Sequence, residues 1–413
     1  MNKRDLGVVR DLAKRVREIS ELPVQRERAR LWKACNSLNP ERPMVLATQQ
    51  PMGELEAAWI DCQCEDERLM GYEAELRRTI MHHEYIPDDY PIIGSWIVPI
   101  PVLNGGYDDY GFELRKTDPE NPDGAYHIEP VITSEHDIDR LHFRPLAVDH
   151  VRADAAVLHA EEILGDLLKV EKRGKNYWRY GLSRVLIHMR GLERMMLDMY
   201  DNPSILHRLM AFLRDDFMQE IDILEGEAAV SFNNGPAMLG GSGGLVDNND
   251  LPEKGYGGAP NVANSICWAE SQETVGVGPD QFDEFVLRYQ LPLVKRFGLT
   301  DYGCCEALDY KLDLLVEKIP NLRWISVSPW ADRRMCAEKI AGNYVYVYKP
   351  NPAYICAKQP DWESAEKDIR DTAAIVDGAP MHICMKDTKT FWGDAGRTTQ
   401  WCEMAVRIAE EMS

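Results

Sequence analysis

The most constraining feature of the chain is the alternation in its last third. Helix-patterned segments at 279–297, 308–318, 331–341, 361–377 and 396–412 are interleaved with the apolar runs LTDYGCCE, LRWISVSPW, YVYVYKPNP and MHICMKD. Short apolar runs alternating with amphipathic helices are the pattern of βαβ units, which build a parallel sheet. No glycine-rich dinucleotide fingerprint follows a first strand, which argues against a Rossmann arrangement. The expected fold is α/β: a (β/α)8 TIM barrel with N-terminal helices and an inserted loop-rich region.

The rest of the chain fits that frame. Residues 3–35 carry Leu6, Val9, Leu12 and Val16 at helical spacing, and ERPMVLATQQPMG reads as a first strand entering a turn. The domain reading is one barrel over 1–413, with a helical extension over 1–42. Residues 60–150 are rich in Asp, Glu, Pro, Gly and Tyr and read as an insertion of loops and short strands, a lid over the barrel mouth. Residues 152–170 and 191–225 read as helices, and the stripe Met195, Met196, Met199, Leu206, Leu209 and Met210 reads as core. AVSFNN and ANSICWAESQE read as strands. GGSGG (240–244) lacks the Lys-Ser/Thr of a phosphate loop, so it is expected to be a flexible active-site lid or tight loop.

Each late strand is apolar along its body and polar at its end. Those ends carry Asn234, Glu270, Cys304, Cys305, Glu306, Trp330, Lys349, Asn351, Lys386 and Asp387. In a (β/α)8 barrel the C-terminal strand ends form the rim on which active sites are built. Cys304, Cys305 and Cys384 are the candidate metal ligands, with Glu270 and His382 as alternatives, because zinc takes three protein ligands and leaves a fourth position open. Adjacent strand residues point to opposite faces, so only one of Cys304 and Cys305 should face the mouth unless a turn rotates the chain. Glu270 and Glu306 are the candidate acids. Asn234, Trp330, Lys349, Asn351, Lys386 and Asp387 are candidates for lining the substrate pocket. Cys62–Gln63–Cys64 offers a further thiol pair with nothing nearby to complete a ligand set, and His82–His83 beside Glu84 could ligate or be solvated loop histidines.

Composition excludes some classes. A net charge of −21 repels nucleic-acid phosphates and anionic lipid heads. No apolar run approaches the roughly 20 residues that cross a bilayer. The start, MNKRDLGVVRDLAKRVREIS, lacks a signal-peptide core, and the expected location is the cytoplasm, with most of the ten cysteines reduced.

The segments RGLERMMLDMYDNPSILHRLMAFL, GGSGG, WAESQETVGVGPDQFDEFV, YGCCEALDYKLDLL, ISVSPWAD, YKPNPA and MKDTKT resemble the uroporphyrinogen-decarboxylase-like superfamily, in particular its corrinoid-dependent methyltransferase branch. The resemblance departs from true uroporphyrinogen decarboxylases at ATQQPMGELEAAW, which lacks their arginine-rich substrate clamp. It departs from the zinc methyltransferases where their His-x-Cys pair becomes Tyr302–Gly303–Cys304. Cys384 lies near the position of their last-strand cysteine.

What the resemblance implies is O-demethylase-type methyl transfer, from a small methylated donor such as a methoxylated aromatic to a corrinoid. The chain has no Asp-x-His-x-x-Gly motif, so the corrinoid would arrive on a separate partner protein, with zinc as a resident metal and a homodimer as a further expectation. One alternative is a metal-free decarboxylase of the same fold acting on a small carboxylic acid through Lys349 or Lys386 with Asp387. Another is a non-catalytic subunit that binds a corrinoid protein.

Overall fold

The computed structural model describes residues 2–412 apart from 49, 114–115, 118–126 and 242. Ser242 of the GGSGG run and part of the 60–150 segment therefore lie outside the described residues. Two N-terminal helices, α1 (Lys3–Ser20) and α2 (Pro23–Asn36), precede strand β1 (Met44–Ala47). Asn2 caps α1 by accepting from Arg4 N at 3.0 Å. The stripe Val9, Ala13, Val16 and Ile19 is buried against Leu69 and Leu76 of α3 (Glu67–Tyr85).

That 19-residue helix corrects the expectation of loops and short strands from residue 60 onward. Its apolar residues are too sparse for an obvious sequence pattern, but they meet the apolar stripe of α1. Strand β2 (Ser95–Pro99) also belongs to the framework, pairing in parallel with β3 (Lys169–Arg173). Helix α4 (His150–Leu164) precedes β3, so the end of the 152–170 segment is strand.

Two short ladders lie apart, Val102–Leu103 with Ala147–Val148 and Lys116–Thr117 with His127–Ile128. The main-sheet strands after β3 are β4 (Arg179–Tyr180), β5 (Ile266–Ala269), β6 (Leu299–Tyr302), β7 (Leu322–Val327), β8 (Val345–Tyr348) and β9 (Met381–Met385). They form, with β1, one seven-stranded parallel sheet in the order β1-β9-β8-β7-β6-β5-β4. Between β4 and β5 run α5 (Leu182–Arg190), α6 (Leu192–Asp201) and α7 (Pro203–Gly226), the break falling at Asn202–Pro203. The predicted 191–225 helix is thus two, split by the proline that starts the second. After β5, each crossover is helical: α8 (Arg288–Val294), α9 (Leu312–Lys318), α10 (Arg333–Ile340) and α11 (Trp362–Val376), with α12 (Gly396–Glu411) closing the order. Met195, Met199, Leu206, Leu209 and Met210 are buried in the core, as expected for a packing stripe, and Met196 packs against it.

Strand alternation sorts the two faces of the sheet. Tyr302, Ile325, Val327, Tyr346, Tyr348, Ile383 and Met385 join the large core shared with the crossover helices. Ile266, Trp324, Val345, Val347 and Cys384 face the other way and pack on Val246 and Leu251. Met44 and Leu46 on that same face meet Leu245 and the α2 residues Trp32 and Cys35.

Asn36, the last residue of α2, ties this face together. Its Nδ2 donates to Leu245 O (2.8 Å) and Asp247 O (2.9 Å), and its Oδ1 accepts from Trp324 Nε1 at 2.8 Å and lies 2.9 Å from His382 Nε2. Since Oδ1 only accepts, His382 carries its proton on Nε2. Burial pushes its pKa down to about 3, so the ring is neutral.

The glycine run passes against this same face. A Cβ on Gly241 would stand 1.8 Å from Trp268 Cγ, and one on Gly244 would stand 2.1 Å from His382 Nδ1. Glycine is needed there because backbone meets side chain directly. Of the two alternatives for GGSGG, its described residues form the tight loop.

No ladder among the described residues joins β1 to β2, so a closed barrel is not established by the strand pairing. Partial links span the other gap. Lys175 bridges Val230 in parallel, and the Asn233 side chain bonds both Ile266 N (2.9 Å) and Ile266 O (2.7 Å). No helix among the described residues is long and apolar enough to cross a membrane.

Candidate functional site

The C-terminal ends of β5 to β9 converge on one cluster. Strand β6 ends at Tyr302, whose hydroxyl donates to Gln290 Oε1 (2.8 Å) on α8, while Gln290 Nε2 donates to Tyr180 O (2.8 Å) and Glu270 O (2.9 Å). One buried amide thus sets the ends of β4, β5 and β6 in register. The chain then turns at Gly303 with φ +103°, where a Cβ would meet Leu308 Cδ1 at 2.6 Å and Ser326 Cβ at 2.9 Å. The turn overrides strand alternation, so the sulfurs of Cys304 and Cys305 lie on the same side, 3.6 Å apart.

Backbone bonds lock the turn. Glu306 is 1% exposed and accepts from Cys304 N (2.8 Å) and Ser271 N (3.0 Å) through its two oxygens. Trp268 Nε1 donates to Gly303 O at 2.7 Å. Ser326 Oγ donates to Cys304 O at 2.7 Å, and Lys349 Nζ donates to both Cys304 O and Ser326 Oγ. Glu306 therefore positions Cys304, with both oxygens engaged, rather than standing free as an acid.

Cations and carboxylates both surround the two sulfurs, and of these charges the lysines weigh most on Cys304. Lys386 Nζ stands 3.4 Å from Cys304 Sγ, and Cys305 Sγ–H donates to Asp387 Oδ2 at 2.8 Å. Lys349 and Lys386 are both buried, at 2% and 3% exposure. The Cys305 thiol beside it and the ammonium groups of Lys349 and Lys386 outweigh burial and bring the Cys304 pKa down to about 6. Cys305 moves the other way, raised by its neighbour's sulfur and by burial. Burial and the charge of Lys386 bring Lys349 down to about 8. Burial opposes the charge of Lys386, but the two sulfurs overcome it and its pKa is raised. The site therefore favours a thiolate at Cys304 and a charged Lys386, with Lys349 held less firmly as an ammonium.

The structure brings together six of the residues singled out from sequence: Cys304, Cys305, Glu306, Lys349, Lys386 and Asp387. Glu270 sits next to them, fully buried, with its carboxylate accepting from Arg179 Nη2 (2.7 Å) and Gln272 N (3.2 Å). Three others point elsewhere. Asn234 latches the 246–251 loop, donating to Asn248 O (3.0 Å) and to Leu251 O. Asn351 Oδ1 accepts from Ala353 N (3.0 Å), closing a local turn. Trp330 is 69% exposed beyond the end of β7.

The zinc expectation meets a poor donor set. Cys384 lies two residues before Lys386 on the same face, completely buried with Val246, Val345, Val347 and Trp324, and burial pushes its pKa up to about 12. No His, Cys, Asp or Glu side chain is grouped with Cys384 to complete a ligand set among the described residues. The cation at Cys304 Sγ is Lys386. Among the described residues no three His, Cys, Asp or Glu side chains are grouped to hold a metal ion. Cys304, Cys305 and Cys384 as arranged do not fit the metal. Of the two alternative ligands, Glu270 is tied to Arg179, and His382 donates Nε2–H to Asn36 with Nδ1 turned toward Gly244.

Several members of the cluster were not read from sequence. Trp268 carries the Arg179 guanidinium 4.5 Å from its ring centroid and Lys386 Nζ at 5.7 Å. Ser326 is on the inward parity of β7, two residues from Trp324, and that parity was the available signal. Lys311 is buried, with a pKa brought down to about 8 by that burial, and donates to Thr274 O at 2.8 Å.

No family model matches the chain, and no curated protein matches it. Solved structures do match. One, described as a methyltransferase from Methanosarcina mazei, has a TM-score of 0.49 at 10% sequence identity, covering 92% of this chain and 97% of that chain.

Proposed function

We propose that the chain transfers a methyl group from a small methylated donor, with Cys304 as the thiolate that receives it. The observation that supports this reading is the Cys304 sulfur at the sheet's C-terminal edge, 3.4 Å from Lys386 Nζ. A thiolate is the nucleophilic form of cysteine, and covalent catalysis divides a difficult transfer into two easier ones. In the first, a carbon–sulfur bond forms on Cys304 as the carbon–oxygen bond of the donor breaks. The departing oxygen takes a proton from Lys349, whose pKa of about 8 suits it to general-acid work near neutral pH. Glu306 and Ser326 hold the Cys304 backbone in place for the attack.

In this reading the sheet is an irregular (β/α)8 barrel, open between β1 and β2, with the 229–233 segment taking a strand position between β3 and β5. The donor is a methoxylated aromatic, whose phenolate leaves, and the final acceptor is a corrinoid carried on a separate protein in the cytoplasm. Such a corrinoid supplies a cobalt(I) nucleophile when bound. Zinc is given no step.

Anaerobic incubation with methoxylated benzoates and mass analysis of the peptide holding Cys304 tests the proposal. It expects the gain of one CH2 unit on Cys304 with matching release of phenol, both absent in Cys304→Ser.

A second reading, decarboxylation of a small carboxylic acid, is favoured by one observation. Lys349 and Lys386 stand buried beside each other at the strand ends, two cations that an anionic substrate would complement. That reading expects carbon dioxide release that survives Cys304→Ser and is abolished by Lys386→Met.

A further inference from the structure

We propose that Cys304 and Cys305 are a reversible oxidation site, closing a vicinal disulfide that withdraws the Cys304 sulfur from reaction. Neighbouring residues on a strand would hold their sulfurs on opposite faces. Here the turn after Gly303 sets them 3.6 Å apart, close to contact and short of a bond. Cys305 is only partly buried, so a small oxidant reaches the pair from the outside. Asp387 Oδ2, 2.8 Å from Cys305 Sγ, is the acceptor for the proton that Cys305 must lose. Lys386 Nζ, 3.4 Å from Cys304 Sγ, holds the other sulfur in place. The two sulfurs thus have a base on one side and a cation on the other.

With a hydroperoxide as oxidant the chemistry balances. Cys304 sulfur attacks the peroxide; an S–O bond forms, the O–O bond breaks, and the leaving oxygen departs as hydroxide, or as alkoxide from an organic peroxide. Cys305 sulfur then gives its proton to Asp387 and attacks Cys304 sulfur. The S–S bond forms, the S–O bond breaks, and the released oxygen leaves as water after taking that proton. The two sulfurs are oxidised by two electrons and the peroxide is reduced by two.

The bond would be easily reversed. Consecutive Cα atoms are about 3.8 Å apart across a trans peptide, whereas disulfides span at least about 4.4 Å. A bridge forced into the shorter span is strained, and strained, exposed bridges are the readily reduced ones. Such a bond suits a switch better than a structural link.

The test starts from fully reduced protein carrying Cys62→Ser, which removes the exposed thiol at the other end of the chain. It is titrated anaerobically with hydrogen peroxide. Thiols are counted after denaturation, and the peptide containing Cys304 and Cys305 is weighed. The expected result is loss of two thiols per chain and of two hydrogens from that peptide, both restored by a dithiol reductant. In a Cys305→Ser version the same peptide should instead accumulate oxygen on Cys304, with no internal bridge. Oxygen adducts on Cys304 building up equally with and without Cys305 would overturn the proposal. So would bridges between chains in place of the internal one. Phenylarsine oxide gives a second readout: one bound per reduced chain, lost after peroxide treatment and in Cys305→Ser. Binding unchanged by peroxide would equally overturn it. All readouts are chemical and stand or fail independently of methyl transfer.

Discussion

Removing the ammonium of Lys386 should undo the acidity of Cys304. Lys386→Met keeps an unbranched side chain against Trp268 and deletes the charge 3.4 Å from the sulfur. Coulomb's law at that separation gives roughly 2–5 kcal/mol for an effective dielectric of about 20–40, which is roughly 2–4 pH units. Part of this is recovered, because Lys386 is one of the groups holding the Lys349 pKa down; without it Lys349 is more fully charged. The expected outcome is that the Cys304 midpoint climbs from about 6 by roughly 2 units. The assay is the pH dependence of iodoacetamide alkylation, followed on the peptide containing Cys304, with circular dichroism to confirm the fold. The depressed pKa means the reactive thiolate persists above about pH 6 in the parent and only at more alkaline pH in the variant. A midpoint that stays near 6 in a folded variant would refute the electrostatic argument.

Further outcomes follow from the same geometry. Glu306→Gln turns one of two carboxylate acceptors into a donor facing Cys304 N or Ser271 N, which should cost roughly 1–3 kcal/mol in denaturant unfolding; an unchanged midpoint of unfolding would count against its positioning role. Gly241→Ala would place a methyl 1.8 Å from Trp268 Cγ, so backbone must move, at about 1–3 kcal/mol, and a variant as stable as the parent would show that the loop is slack. His382 is neutral in the fold with a pKa near 3, while the unfolded chain binds its proton below about pH 6.5. Stability from this residue is present above that value and falls as pH drops, by about 1.4 kcal/mol per unit. His382→Gln should flatten that slope between about pH 6.5 and 5, and identical slopes would rule out the assignment. Metal analysis of anaerobically purified protein should find no zinc that depends on the cysteines; one zinc per chain, lost in a Cys304→Ser, Cys305→Ser double variant, would reinstate the metal.

The alternation after residue 279 was legible because each helix there buries a stripe and the strand residues are mostly buried on both faces. The polar strand ends led directly to Cys304, Lys349 and Lys386. Asn234, Asn351 and Trp330 share that position but turn away, because a polar strand end also serves loops and solvent, and only tertiary contacts distinguish the two. The Gly303 turn decided whether both cysteines face the cluster, and a positive φ is invisible in a glycine's letter alone. The helix at 67–85 was missed because its partner stripe is on α1, more than forty residues away in sequence. The plug formed by Asn36 has no local pattern, since four partners from three segments converge on one amide.

Methyl transfer by this site stands or falls on Cys304 receiving the methyl group. The most direct measurement is a single-turnover incubation of reduced protein with a methoxylated aromatic, without any corrinoid, with the CH2 gain and phenol release read together. The expected result is one CH2 on Cys304 for each phenol released, and neither in Cys304→Ser. Phenol release with an unmodified Cys304, or turnover that persists in Cys304→Ser, would contradict it.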